Sequence, residues 1–377
     1  MIAFKDVPVC TPQGIKRQNL VFSDKIISIG EDLADAEVFN LPPNATVLPA
    51  FIDEHVHGAG GADAMDASAA ALEKISATLA KEGTAYFLAT TMTESRRKIL
   101  NALSAIKEFK GGSGACLLGA HLEGPFISAR FRGAQREEFI EKPDVNLFKE
   151  FYSESGGKIK VVTLAPEMDG AEELIKYLSE LGVTASLGHS AATEAQVLRA
   201  VSLGASCITH TFNGQSPFTH REIGVAGSAL SYGVYTEVIA DLIHVCPSAL
   251  KLLLKCKNVS EIILITDAMR AKGLGDGISE LGGQKVKVKG GEARLEDGTL
   301  AGSVLTMNKA VKNTVEKLGV PLEEAVKFAS INPAKNLKID NITGSLEKGK
   351  SADFAIIDDN FNVLYTFRNG KIIYGGK

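Results

Sequence analysis

Short apolar runs alternate with longer stretches of mixed composition through the middle of this 377-residue chain. The runs are rich in β-branched or small residues and have the length of buried strands. They comprise residues 46–52, 84–91, 116–121, 159–165, 183–188, 205–209, 235–240 and 261–266. The stretches between them have helical composition and include 68–82, 94–109, 171–181, 193–203 and 247–256. This alternation predicts an α/β fold, a (β/α)₈ TIM-type barrel over residues 48–339.

The two ends of the chain have a different pattern. Residues 1–47 and 340–377 contain short alternating segments separated by turns, such as the turn at Asn369 and Gly370. We expect both ends to meet in one small β-sandwich domain beside the barrel. Residues 286–300, which follow the eighth predicted strand, contain two glycine turns and are therefore predicted to form a hairpin.

The composition argues against several classes of partner. The formal charge is −4, with 41 basic and 45 acidic residues. The sequence has no stripe of basic residues of the kind that binds nucleic acid. No uncharged apolar run approaches the ~20 residues of a membrane-spanning helix, and the first residues lack the pattern of a signal peptide. The five cysteines are scattered, which is typical of thiols that are kept reduced. We therefore expect a cytoplasmic protein that binds neither nucleic acid nor membrane.

All seven histidines lie in short motifs, and most of these motifs end an apolar run. The predicted strand ends carry His55 and His57 (first strand), His121 and Glu123 (third), His189 (fifth), His210 (sixth) and Asp267 (eighth). The strand ends form the active site in barrel enzymes, and histidine is the commonest metal ligand. Burying so many polar groups without partners would be costly. The pattern therefore predicts a metal centre at the barrel mouth.

Less specific interpretations compete at single positions. The His-x-His pair alone would also fit two core histidines, and the loop residue Glu167 is typical of a solvated acid. His244 fits either a substrate contact or a surface histidine. The fourth strand end offers no lysine that could bridge two ions as a carbamate, so Glu123 is the expected central carboxylate. A bound ion lowers the pKa of water from about 15.7 to about 7, which brings it within reach of Asp267 as a base.

These motifs resemble those of the N-acetylglucosamine-6-phosphate deacetylases of the amidohydrolase superfamily. The resemblance extends from about residue 48 to about 334, and the flanking β domain fits as well. His-Leu-Glu-Gly-Pro at 121–125 and the segment from Asn213 to His-Arg-Glu at 220–222 are its most specific parts. Further matches lie at 51–58, 164–167, 188–190, 209–210, 239–241, 266–268 and 302–307.

The resemblance implies a metal-dependent hydrolase of amino-sugar catabolism that converts N-acetyl-D-glucosamine 6-phosphate to D-glucosamine 6-phosphate and acetate. The implied ligands are Glu123, His189 and His210 for one divalent ion, and His55 and His57 for a second. The other implied roles are those of Asp267 as the catalytic base and of Asn213, Gly214, Arg221 and His244 as substrate contacts. In a homodimer, Arg221 is expected to reach the partner's site. We expect zinc, with iron, manganese or cobalt as alternatives.

Three positions depart from the family pattern. Gln135, Gln215 and Leu242 stand where the family usually has histidine, methionine and glycine. All three lie in loops that are expected to line the sugar pocket, and Gln135 is expected to bind substrate. The substrate could therefore be N-acetylgalactosamine 6-phosphate or another N-acyl hexosamine phosphate. A cyclic-amide hydrolase and a catalytically inactive sugar-phosphate-binding barrel are more distant alternatives, because the bridging lysine is missing and the ligand set is complete.

Overall fold

Eight parallel strands lie side by side in chain order and form the wall of a barrel. In this computed structural model, which describes residues 1–31 and 35–375, they are Phe51–Val56, Thr84–Thr91, Cys116–Glu123, Ile159–Leu164, Thr184–Leu187, Cys207–Ile208, Tyr235–Ile239 and Ile262–Ile265. The barrel closes where the N–H of Asp267 donates to the carbonyl of His55 (2.9 Å) and the N–H of His57 donates to the carbonyl of Ala268 (2.9 Å). The predicted (β/α)₈ barrel is confirmed.

Helices cover the outside of this sheet. They are Ala69–Ala80, Arg96–Glu108, Val145–Glu154, Ala171–Leu181, Glu194–Ser202, Gly224–Ser231, Pro247–Cys256, Met307–Glu316, Leu322–Ala329 and Ile331–Asn336. Short 3₁₀ turns occur at Ala64–Asp66, Ala129–Phe131, Glu137–Phe139 and Val259–Glu261. Five of the helices coincide with predicted segments to within a few residues. No helix in the described part of the chain is long and apolar enough to cross a membrane.

Helix Ala171–Leu181 illustrates why these segments are helical. Its buried residues, Ala171, Leu174, Ile175 and Leu178, recur with the spacing of one helix face. Gly182 ends the helix with a φ of 72°, a conformation that costs glycine little. Each large aliphatic side chain buried against the sheet contributes about 1.5–3 kcal/mol, so this face attaches the helix to the barrel.

Both ends of the chain enter a second, eight-stranded sheet. Its strands are Ile2–Thr11, Gly14–Phe22, Ile26–Ile29, Glu37–Val38, Thr46–Pro49, Phe354–Ile357, Val363–Arg368 and Lys371–Gly375. A bridge between Lys25 and Ser351 folds this sheet back on itself. The β unit built from both ends is thereby confirmed, while the boundaries at 47/48 and 340 stay a prediction. Residues 32–34 and 376–377 of that prediction lie outside the described residues.

The insertion after the eighth barrel strand is larger than the predicted hairpin at 286–300. It contains three antiparallel strands, Gly277–Leu281, Gln284–Lys289 and Glu292–Arg294. The third lies within the prediction, the second begins two residues before it, and the first lies outside it. The first strand is mostly exposed and polar, so that its sequence looks like a loop. Leu281 and Val286 pack against Met92 and Met269 of the barrel. The insertion is therefore anchored near the barrel mouth.

Phenyl rings from both chain ends form the core of the second sheet, which leads to a stability prediction. Phe354 is fully buried, and its ring centroid lies 4.8 Å from that of Phe22 and 5.7 Å from that of Phe4. Phe354→Ala should lower the free energy of unfolding by about 3–5 kcal/mol because it leaves a cavity. Phe218→Ala is the control, since Phe218 is 56% exposed, and should change it by about 0.5 kcal/mol or less. Equal losses in chemical denaturation would contradict this description of the core.

Candidate metal centre

Side chains from five strand ends meet at the mouth of the barrel. They surround a cavity of about 190 Å³ and include His57, Glu123, His189, His210 and Asp267. A larger cavity, of about 580 Å³, lies elsewhere, beside the beginning of the eighth barrel strand. None of the candidate ligands lines that larger cavity. The smaller cavity is therefore the candidate site, because it holds the reactive groups.

Glu123 lies at the centre of the cluster. Its Oε1 is 3.2 Å from Nε2 of His189 and 3.0 Å from Nε2 of His210, and these two nitrogens are 3.0 Å apart. Nε2 of His55 lies 3.4 Å from the same oxygen, and Nε2 of His57 lies 3.2 Å from Oε2. Asp267 Oδ1 is 3.2 Å from His57 Nε2 and 3.5 Å from His55 Nε2. The structure thus brings all six predicted ligand and base residues together.

Hydrogen bonds on the far side of three rings decide where their lone pairs point. Nδ1 of His57 donates to the carbonyl of Thr90 (3.2 Å), and Nδ1 of His189 donates to the carbonyl of Phe131 (2.9 Å). Nδ1 of His55 donates to a carboxylate, 3.1 Å away. Because Nδ1 is engaged in this way, Nε2 of each ring faces the carboxylate oxygens and can carry a proton or bind a metal ion there. Histidine nitrogens and carboxylate oxygens are the usual ligands of divalent metal ions, so this set of side chains is suited to bind one.

Contacts among these clustered residues shift their pKa values, against the effect of burial. Burial lowers the pKa of His57, but its hydrogen bonds to Asp267 and Glu123 outweigh this and raise it to about 10. Burial raises the pKa of Asp267, but the neighbouring His55 and His57 lower it to about 2. Burial likewise opposes ionisation of Glu123, yet the histidines hold its pKa well below the usual range. The carboxylates are therefore ionised, and positive charge beside them, whether a proton on a histidine or a metal ion, stabilises them.

Three of the clustered residues have left-handed backbone conformations. The φ angles are 48° at His189, 28° at His210 and 47° at Asp267. Each of these residues lies two positions beyond the end of a barrel strand. For residues with a side chain such conformations cost about 1–3 kcal/mol and are concentrated at functional sites. At these three positions the left-handed turn directs the side chain back into the mouth.

The predicted substrate contacts are placed unequally. Asn213, Gly214, His244 and Gln135 line the cavity. A Cβ at Gly214 would lie 2.9 Å from Nδ1 of His189, so this loop approaches the ring closely. Arg221, in contrast, lies exposed on a loop and does not line the cavity of its own chain. It has no hydrogen-bond or ion-pair partner within the described residues.

Gln135 contacts the candidate metal centre directly. Its amide nitrogen donates to Glu123 Oε2 (2.8 Å), and its carbonyl accepts from the N–H of Thr93 (2.7 Å). The side chain is 5% exposed. Both ends of the amide are therefore engaged within the protein, and its predicted role in binding the sugar stays a prediction. Gln215 is also engaged internally, since it donates to the carbonyl of Thr209 and accepts from the N–H of Phe212.

Comparison with known proteins extends this picture. Residues 46–373 match the model of the Amidohydrolase family. The chain belongs to the amidohydrolase family. The family is metal-dependent, and the described residues contain groups that could hold a metal ion, among them Glu123, His189 and His210.

The amidohydrolase is similar to named enzymes and to solved structures. It is 43% identical over 387 residues to the N-acetylglucosamine-6-phosphate deacetylase of Bacillus subtilis (strain 168), and the match covers 100% of this chain and 98% of that protein. It is 39% identical over 329 residues to the N-acetylgalactosamine-6-phosphate deacetylase of Escherichia coli O157:H7, covering 86% and 87%. A mutant of the Mycobacterium smegmatis N-acetyl-D-glucosamine-6-phosphate deacetylase, in complex with N-acetyl-D-glucosamine-6-phosphate, matches with a TM-score of 0.91 at 30% identity over 99% of both chains. The resemblance found in the sequence is confirmed.

Buried acids of the amidohydrolase escaped the sequence analysis. Glu237 accepts the hydrogen bond from His55, and Asp53 accepts from the hydroxyl of Thr266 beside Asp267. Glu54 is fully buried, and burial followed by the charge of Glu237 raises its pKa well above the usual range. The available signal was the presence of acids inside apolar strands. Glu167 is half-buried and binds the hydroxyl of Ser190 and the N–H of Ala191, so it also supports the loop after His189.

His244 forms a close pair with Asp241 at the cavity wall, with 2.7 Å between Nδ1 and Oδ2. Burial opposes the charge on His244, but the hydrogen bond to Asp241 outweighs it and raises the pKa. Burial also opposes the charge on Asp241, and the same contact lowers its pKa. The stabilisation by His244 is then fully present below its unfolded pKa of about 6.5. It is lost as the pH rises through the folded pKa.

Asp241→Asn should therefore destabilise the protein most near about pH 5–6, where both partners are charged, and least near about pH 9. The difference in free energy of unfolding between parent and variant, measured by chemical denaturation across this range, tests the pair. His220→Gln is the control, because His220 is exposed, and should show no such pH dependence. A pH-independent difference for Asp241→Asn would contradict the charged pair.

Proposed function

We propose that this amidohydrolase removes the acetyl group from N-acetyl-D-glucosamine 6-phosphate and releases acetate and D-glucosamine 6-phosphate. The observation that carries the proposal is the cluster of Glu123, four histidines and Asp267 around the mouth cavity. The names of the relatives and the sugar phosphate bound in the Mycobacterium smegmatis structure support the choice of substrate. The chain retains every predicted ligand, which argues against an inactive barrel.

The proposed ligands are Glu123, His189 and His210 for one ion and His55 and His57 for a second, with zinc as the expected metal. A divalent ion bound there would lower the pKa of a coordinated water and polarise the acetyl carbonyl. The protein contributes the fixed geometry, since three of the rings are held by hydrogen bonds at Nδ1. Iron, manganese or cobalt would suit the same donors.

Asp267 is the proposed base. Its low pKa keeps the carboxylate ionised and able to accept a proton from the attacking water. The same group then donates that proton to the nitrogen of the leaving amino sugar, so that one residue serves as base and acid in turn. The side chain is 11% exposed, which leaves it accessible from the cavity while limiting competing water.

The remaining residues of the cavity are proposed to hold the sugar phosphate. His244 and Gln135 are the proposed sugar contacts, and Asn213 with Gly214 would receive the phosphate. A phosphate carries about 1.5–2 negative charges near pH 7, and the guanidinium of Arg221 is suited to its oxygens. Because Arg221 lies outside its own cavity, we propose that it serves the second subunit of a homodimer.

A second candidate substrate is the galactosamine epimer. Gln135 replaces the usual histidine and touches Glu123, and the Escherichia coli relative is named for the galactosamine derivative. For location we propose the cytoplasm, supported by five free cysteines at positions 10, 116, 207, 246 and 256. Thiols persist unpaired where the compartment is reducing.

Acetate release tests the reaction and its metal dependence together. The protein should act on N-acetylglucosamine 6-phosphate more efficiently than on its galacto epimer or on the unphosphorylated sugar. A chelator should abolish this activity, and Zn²⁺, Fe²⁺, Mn²⁺ or Co²⁺ should restore it. Full activity in protein shown by elemental analysis to be metal-free would refute the mechanism. Equal kcat/KM with and without the phosphate would refute the substrate.

Mixed dimers test the shared site. Arg221→Ala should raise KM strongly for the phosphorylated sugar, and Asp267→Asn should lower kcat by ~10²–10⁴. If Arg221 acts in the partner's site, a heterodimer of the two variants has one site that lacks both groups and one that retains both. Mixing two nearly inactive proteins should then restore activity. Verified heterodimers without recovery would exclude the arrangement in trans.

A further inference from the structure

Glu237 is a buried carboxylate in the seventh barrel strand, Tyr235–Ile239, and it is 0% exposed. The residues on either side of it in this strand are also buried. An acid in such a place is costly unless its charge is compensated by hydrogen bonds. Its Oε2 accepts two of them, from Nδ1 of His55 (3.1 Å) and from the backbone N–H of His210 (3.2 Å).

The first hydrogen bond fixes the ring of His55. Because Nδ1 donates to Glu237, Nε2 is the nitrogen left for a metal ion, and it faces Glu123 Oε1 (3.4 Å) and Asp267 Oδ1 (3.5 Å). A carboxylate behind a histidine ligand sets both the tautomer and the orientation of the ring, and it raises the basicity of the nitrogen that binds the metal.

The second hydrogen bond acts on the backbone of His210. This residue has a φ of 28°, a strained conformation that needs support from its surroundings. With the N–H held by Glu237, the side chain of His210 turns into the mouth, and its Nε2 reaches Glu123 Oε1 (3.0 Å). Glu237 also accepts the N–H of Thr211 at its own carbonyl (2.9 Å), so the two chain segments are joined at successive residues.

We infer that Glu237 is the positioning residue that couples the two ion positions. A single oxygen, Oε2, holds the side chain of His55 in one position and the backbone of His210 in the other. The inference rests on the proposed metal site and adds to it a residue that touches neither the ion nor the substrate. Removing the carboxylate should therefore weaken binding at both positions rather than at one.

Titration of metal-free protein with Co²⁺ tests this inference without relying on catalysis. Every Co²⁺ ion that the parent binds should be bound about 10–100-fold more weakly by Glu237→Ala, because supporting partners of ligands contribute this much. The visible absorption of the Co²⁺ complex should change as well, since the orientation of His55 is lost. Glu237→Gln can accept the same hydrogen bonds but lacks the charge, so it should lie between parent and Glu237→Ala.

Glu82→Gln is the matched control. Glu82 is also a buried carboxylate, bound to Lys272 (2.8 Å) and to the N–H of Met307 (3.1 Å), but it touches no candidate ligand. This variant should keep the affinity and spectrum of the parent. If it loses Co²⁺ as strongly as Glu237→Ala, the effect is one of general destabilisation and the inference is wrong.

The remaining outcomes separate the inference from the proposed function. A parent that binds Co²⁺, together with Glu237 variants of unchanged affinity and spectrum, would refute the role of Glu237 alone. A parent that binds no Co²⁺ would refute the metal site and the inference with it. If Glu237→Ala does not fold, Glu237→Gln decides the question, because its side chain has nearly the same shape.

Discussion

Four imidazole nitrogens lie within 3.0–3.4 Å of the carboxylate oxygens of Glu123, in a site almost closed to water. Without a proton or a metal ion between them, nitrogen and oxygen lone pairs would repel one another at such distances, and the low polarity of the surroundings would strengthen the repulsion. The arrangement is favourable only around positive charge. Most other features of the barrel mouth follow from the need to keep these donors in place against their mutual repulsion.

The protein meets that need with hydrogen bonds to backbone carbonyls and buried carboxylates. The strand carbonyl of Thr90 and the loop carbonyl of Phe131 hold two of the rings. Asp53 links the first and last barrel strands by accepting from the hydroxyl of Thr266 and, at 3.4 Å, from the N–H of His55. The closure of the barrel and the geometry of the site therefore depend on the same contacts. A substitution where the first and eighth barrel strands meet would therefore also move the ligands.

The groups that touch the cavity could largely be predicted from the sequence. A polar residue directly after an apolar run marks a strand end, and parallel strand ends meet at one mouth, which is why Glu123, His189 and His210 were found. Glu237 lies inside its strand rather than after it, so its one local signal was an acid within an apolar run. Its partners, His55 and His210, come from other strands and could not be read from its surroundings in the sequence. The internal contacts of Gln135 and the exposed first strand of the insertion depend on tertiary packing, which a local pattern does not encode. A contact of Arg221 with a second subunit depends on how two chains assemble, which the pattern of one chain does not encode.

The second sheet draws its strands from residues 2–49 and 354–375. The core of this sheet is complete only when the ring of Phe354 packs against that of Phe22, more than 300 residues earlier in the chain. During synthesis, which adds about 5–20 residues each second, the first strands must wait for most of the chain to be made. Over that interval the barrel strands can associate while an apolar surface at the amino terminus stays uncovered. The strands after residue 354 therefore complete this sheet, and chains released before residue 354 would carry exposed strands prone to aggregation.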